Sequence, residues 1–144
     1  MEIYTIGFTK RSAEQFFEAL KSAGIRRLID IRLNNTSQLA GFTKGRDLDY
    51  FLRTICGAVY QHQPLLAPTE DILSAYRRDN DWAKYETAFM ALLSQRRVEE
   101  ALSQRVFDDP TVLLCSEPTS ERCHRRLVVE YLDARWGDVT RRDL

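Results

Sequence analysis

The residues best able to do chemistry crowd into one stretch, Cys115-Ser116-Glu117-Pro118-Thr119-Ser120-Glu121-Arg122-Cys123-His124-Arg125. It follows the apolar run Thr111-Val112-Leu113-Leu114, which reads as a buried strand ending at Cys115. Pro118 breaks the backbone, and Thr119 or Ser120 can cap a helix over about 121–134, placing Cys123 in its first turn. Free amides and the helix dipole favour negative charge there. A thiolate flanked by Arg122, His124 and Arg125 then forms below the ordinary cysteine pKa, with Glu121 opposing. On this reading Cys123 is a nucleophile, His124 or His62 carries a proton, Glu117 is a second acid/base, and Arg32 and Arg125 clamp an anion. The plain alternative keeps Cys115 as a small core residue, Cys123 as an inert partner of the sheet, and His124 as a capping or packing residue.

The same side chains raise the question of a metal. Cys115, Cys123, His124, His62 and Glu117 are all potential ligands, but Cys-x7-Cys-His is not a zinc spacing. Adjacent Cys123 and His124 also point about 100° apart on a helix. The expectation is that no metal is bound tightly, and no cofactor is expected. At neutral pH Cys123 should be the most reactive thiol, with Cys56 and Cys115 behind it. Cys115 ends an apolar run, and Cys56 sits beside the Gly57 helix stop.

These residues need a scaffold. Residues 2–6 read as a strand, and Ser12 with Gln15 forms a capping box for a helix over about 13–23, with Phe16, Phe17, Leu20 and Ala23 inward and Gly24 at its end. Arg27 to Ile31 is a second strand, 32–45 a loop, and Asp47 opens a helix to about Cys56 with Leu48, Phe51, Leu52 and Ile55 inward. A short strand spans 58–61, and a loop runs from His62 to Pro68. Thr69 and Asp81 cap two further helices, residues 95–106 continue as helix after a break, and the tail 135–144 is expected to be loosely held. The order implies a single α/β domain over 1–144, a sheet of about four parallel strands with helices on both faces. Ligands of such sheets bind outside the carboxyl ends of the strands. Four loops should therefore converge, bringing Thr9, Lys10 and Arg11; Arg32 and Asn34; His62; and the stretch from Cys115 to Arg125. Arg11, Arg32, Cys115 and Arg125 are the expected ligand contacts. Asp30, two residues before Arg32, reads as structural. Trp82 and Tyr85 share a helix face and read as core rather than as a stacking platform.

Composition sets outer limits. The 144 residues are one domain's worth, and 21 Lys plus Arg balance 21 Asp plus Glu, which argues against a dedicated duplex DNA binder but not against a local basic patch. Three cysteines form no secreted disulfide framework, Met1 leads straight into a strand with no apolar leader, and no apolar run suits a membrane span. The expected setting is the reducing cytoplasm, with no membrane partner; oligomeric state and any nucleic-acid partner stay open.

The motifs Tyr4-Thr5-Ile6-Gly7, Leu28-Ile29-Asp30-Ile31-Arg32, Tyr60-x-His62, Trp82-x-x-Tyr85 and Leu113-Leu114-Cys115-x-Glu117-x5-Cys123-His124-Arg125 together resemble domain of unknown function family 488. The resemblance spans nearly the whole chain. Three positions depart from the family's habit: Phe8 and Thr9 replace histidine and serine, Asn35 replaces a proline, and Ala67 with Pro68 replaces a glycine pair. Phe8 has no proton to exchange, so no histidine serves in the first loop. The family brings no established reaction; its members are sometimes labelled as linked to DNA repair. A fainter likeness joins the chain to rhodanese-type and cysteine phosphatase domains, which also place a cysteine at the end of a central strand. Glu117 and Glu121 beside Cys115 and a six-residue gap to Arg122 depart from their anion cradle. The functional expectation is an enzyme with a Cys/Glu/His/Arg site acting on a small anionic or nucleotide-like ligand. The alternative is a non-catalytic module that binds a nucleotide, a nucleic-acid end or a protein at the same cleft.

Overall fold

The computed structural model describes residues 1–36, 41–116 and 122–144. Five strands, β1 (Glu2–Gly7), β2 (Arg27–Asp30), β3 (Val59–His62), β4 (Thr111–Cys115) and β5 (Thr140–Asp143), form one parallel sheet in the order β3-β2-β4-β1-β5. The expected sheet of about four parallel strands is present with one more at its edge. That extra strand lies in the tail expected to be loosely held. Glu2 to Thr5 register with Thr140 to Asp143, and the Leu144 amide donates to the Thr5 carbonyl at 2.8 Å. All four β5 residues are exposed, so no apolar signal marks this strand in the sequence; backbone pairing supplies what side-chain burial does not.

Alternation along the strands builds two cores. Ile3, Ile29, Ile31, Leu113 and Cys115 face one side; Ile6, Leu28, Val112 and Leu114 face the other. The first core is closed by helices α4 (Trp82–Gln95), α5 (Val98–Ala101) and α6 (His124–Trp136), and the second by α1 (Ala13–Ser22) and α2 (Gly45–Phe51). A remaining helix, α3 (Glu70–Asp79), packs on α4. The caps follow local chemistry: Ser12 and Gln15 complete the capping box of α1, Thr69 accepts from the Ile72 amide, and Asp81 accepts from the Lys84 amide.

Four local expectations are corrected. The α2 helix begins after Lys44 rather than at Asp47, and it continues through Leu52–Cys56 with π-helical hydrogen bonds. The wider turn rotates later residues relative to an α-helix, so Ile55, expected inward, is 38% exposed. The break expected in 95–106 falls at Arg97, in a left-handed conformation, but helix resumes only as the short α5 and a 3₁₀ turn at Gln104–Phe107. His62 ends β3 rather than opening a loop. The last helix starts at His124, with Cys123 as its extended N-cap residue rather than a first-turn residue. Thr119 and Ser120, expected as its caps, lie outside the described residues.

Connection geometry locates the crevice. β2 and β4 are neighbours, yet the chain leaves β2 toward the α2 face and β3, and leaves β4 toward the α6 face and β5. Adjacent strands whose connections part to opposite faces open a crevice at their carboxyl ends. Arg32 and Cys115 stand at those two ends.

Candidate functional site

A cleft of about 820 Å³ lies at the carboxyl end of the sheet. The loop after β1 supplies Phe8 to Arg11, the end of β2 supplies Arg32, Leu33 and Asn34, and β4 with the start of α6 supplies Cys115, Ser116 and Arg122 to His124. Its described lining carries five cations, Lys10, Arg11, Arg32, Arg77 and Arg122, against one carboxylate, Glu70. Because the whole chain is neutral, this imbalance is local.

The loop after β1 is tied to the end of β4. The Thr9 amide donates to the Ser116 carbonyl at 3.1 Å, and the Thr9 hydroxyl bonds the same oxygen. Lys10 takes a left-handed φ of 64°, which turns the chain toward Arg11. Arg11 lines the cleft, but one guanidinium nitrogen is held by the Leu144 carbonyl.

Arg32 is the most strongly built of the cations. Its Nε and Nη2 donate to the two oxygens of Asp30 at 2.8 and 2.7 Å, and Nη2 also donates to the Thr43 carbonyl at 2.6 Å. The Tyr60 hydroxyl donates to Asp30 at 2.6 Å, and Asn35 Nδ2 donates to that hydroxyl at 3.0 Å. Burial and the bond to the Asp30 carboxylate push the Tyr60 pKa up, so Tyr60 stays a donor. Arg32 is only 4% exposed, and its Nη1 finds no hydrogen-bond partner among the described residues. A buried cationic N–H without an acceptor is costly.

Cys115 and Cys123 are joined by a disulfide, which the sequence reading did not foresee. Eight positions apart in sequence, they meet because the strand end and the helix start share one edge of the sheet. In this state neither sulfur is a thiolate, so nucleophilic chemistry at Cys123 requires reduction. Arg125 is buried, with Nη1 3.2 Å from the Cys115 sulfur, and stands behind the cleft rather than in its lining.

His124 lines the cleft, and its Nε2 lies 2.6 Å from the Ile31 carbonyl. A carbonyl only accepts, so Nε2 carries the proton and the neutral ring keeps Nδ1 as an acceptor. Desolvation lowers the His124 pKa to about 4, with the Arg125 charge adding to it and the Ile31 bond opposing it. At neutral pH His124 is therefore an uncharged imidazole and a weak base, offering Nδ1 as a hydrogen-bond acceptor. His62 sits elsewhere: its Nε2 bonds the Arg32 carbonyl at 2.9 Å, which holds the β2 loop, and it is not among the described lining residues. The cleft thus brings together Arg11, Arg32, Cys115, Cys123 and His124; it leaves His62 and Arg125 behind the wall. Glu117 lies outside the described residues.

Ligand atoms of Cys115, Cys123 and His124 all lie within 4.8 Å of one another, a spacing a metal ion can bridge. The disulfide uses up both sulfurs, and the Arg125 guanidinium beside Cys115 repels a cation, so such a role would need a reduced pair and a shifted arginine. Among the described residues, no helix is long and apolar enough to cross a membrane.

Sequence reasoning missed the opposite wall. Leu73, Tyr76, Trp82 and Tyr85 of α3 and α4 line the cleft. Of the pair expected as core, Tyr85 is buried and Trp82 only partly so, and both line the cleft. Their three-residue spacing was visible, but the placement of the α3–α4 hairpin over the strand ends was not.

The family model DUF488, Domain of unknown function DUF488, matches residues 12–132, and the chain belongs to that family. No curated protein and no solved structure matches it.

Proposed function

We propose that this DUF488 member binds a small anionic, nucleotide-like ligand at the carboxyl ends of its strands and, once the Cys115–Cys123 disulfide is reduced, acts on it through Cys123. The observation that carries the reading is the convergence of five cations on one cleft, including a buried Arg32 with a spare N–H, beside Cys123 and His124. Arg32, held by Asp30, is preorganised as the anion contact. His124, neutral with Nδ1 as its acceptor, is suited to take a hydrogen bond from the ligand or the reduced pair rather than to carry a proton. Arg125, beside the Cys115 sulfur, supports the thiolate form of the reduced pair.

A binding module without catalysis is the second reading, and the disulfide favours it, because an oxidised pair has no nucleophile. Alkylation separates the two. In reduced protein, iodoacetamide should modify Cys123 faster than Cys56, and pyrophosphate should slow Cys123 without slowing Cys56. Slow alkylation of Cys123 with intact pyrophosphate binding leaves the binding module. Fast alkylation that pyrophosphate does not slow separates the thiol from the anion site and removes the enzymatic reading.

A further inference from the structure

The cleft has two unlike walls. One holds the cations Lys10, Arg32 and Arg122; the other, from α3 and α4, carries the aromatic rings of Tyr76, Trp82 and Tyr85 along with Glu70 and Arg77. The Trp82 and Tyr85 rings stack at 5.0 Å with 16° between their planes, and Tyr76 packs its ring against both, at 5.7 Å from Trp82 and 5.3 Å from Tyr85. Arg126 lies 6.0 Å from the Trp82 ring, anchored by Glu86 and Glu130, so the indole is braced from the helix behind it. Tyr85 is buried in the core, whereas Tyr76 and Trp82 pack against that core only partly covered and border a cavity of about 820 Å³.

That volume is far more than a bare phosphate fills and lies in the range of sites for drug-sized ligands, roughly 300–1,000 Å³. A simple anion would leave the aromatic wall wet. A purely apolar ligand would leave the charges of Lys10, Arg32 and Arg122 unanswered. The ligand that answers both carries a flat aromatic group at one end and phosphate at the other.

We infer that the natural occupant is a free nucleoside phosphate, with its base on the Tyr76–Trp82 wall and its phosphates among Lys10, Arg32 and Arg122. The inference rests on the anion-binding reading above and specifies its substrate class. Base–aromatic stacking contributes through the ring face and tolerates base identity, so preference among bases should be weak. The chain's zero net charge disfavours a long polyanion as the partner.

Calorimetric titration of pyrophosphate, adenosine diphosphate, cytidine diphosphate and a short single-stranded oligonucleotide tests it. The nucleoside diphosphates should bind about 10-fold more tightly than pyrophosphate. Tyr76→Leu and Trp82→Leu should each shrink that ratio toward one, and circular dichroism should show both variants folded. Equal affinity for nucleoside diphosphate and pyrophosphate overturns this inference while the anion site stands. A ratio that survives both aromatic substitutions overturns it too. Tighter binding of the oligonucleotide than of either mononucleotide replaces the free nucleotide with a polymer end. No binding of any of the four overturns the anion site as well.

Discussion

Asp30 grips Arg32 through two parallel N–H···O bonds, at 2.8 and 2.7 Å, with the two side chains 0% and 4% exposed. Breaking such a buried pair leaves an uncompensated charge. Asp30→Ala should therefore lower the unfolding free energy by about 3–5 kcal/mol, read from urea denaturation. A loss below about 1 kcal/mol would show that the pair is wetter than its geometry implies.

Gly45 sits against the same network. A Cβ there would lie 2.6 Å from Asn35 Nδ2 and 2.8 Å from the Tyr60 hydroxyl. Both atoms end side chains, but each is tied by hydrogen bonds leading to Asp30, so relief costs a bond. Gly45→Ala should destabilise the chain by about 1–3 kcal/mol. Asn35→Ala should recover part of that loss in the double variant, and purely additive losses would mean the clash lies elsewhere.

His124 predicts a pH dependence. Its folded pKa is lowered to about 4 from 6.5, so the unfolded chain binds this proton first as pH falls. The stability it contributes is present above about pH 6.5 and falls by about 1.4 kcal/mol per unit below that, levelling near pH 4. Partial exposure of the ring makes this an upper bound. Wild type should lose stability more steeply than His124→Asn between roughly pH 6.5 and pH 5, in chemical denaturation at matched ionic strength. Parallel curves would place a solvated, ordinary imidazole there.

Thiol counting tests the disulfide. Protein purified without reductant and alkylated under denaturing conditions should take label at Cys56 alone, the free cysteine. Burial raises the Cys56 pKa, Glu18 adds to this and Lys21 opposes it, so its labelling in the folded state should be slow at neutral pH. Label on Cys115 and Cys123 without reductant would mean the pair is a dithiol.

Some of this was legible in the residues and some was not. The apolar run into Cys115, the Ser12–Gln15 capping box and the Gly57 stop are local signals, and local physics places β4, α1 and the end of the helix that runs on from α2. The strand-end rule alone puts Arg32 and Cys115 on one edge of the sheet. β5 escaped because its exposed Thr140-Arg141-Arg142-Asp143 pairs by backbone alone. The roles of His62 and Arg125 depend on which way each side chain turns from its element, and loop membership does not fix that. The disulfide depends on a distance across the chain that spacing alone does not give.

Anion binding at this cleft depends on its cationic wall. Calorimetric titration of pyrophosphate at low salt into wild type, Arg122→Ala and Lys10→Gly addresses it directly, with Arg53→Ala, an exposed arginine outside the cleft, as the control. Arg122 is exposed, and glycine suits the left-handed backbone at Lys10, so both variants should fold. Each lost cleft cation should weaken binding by roughly 5- to 10-fold, with raised salt shrinking the difference, while Arg53→Ala matches wild type. Equal weakening by Arg53→Ala, or full affinity in both cleft variants, would contradict an anion site at the carboxyl ends of β2 and β4.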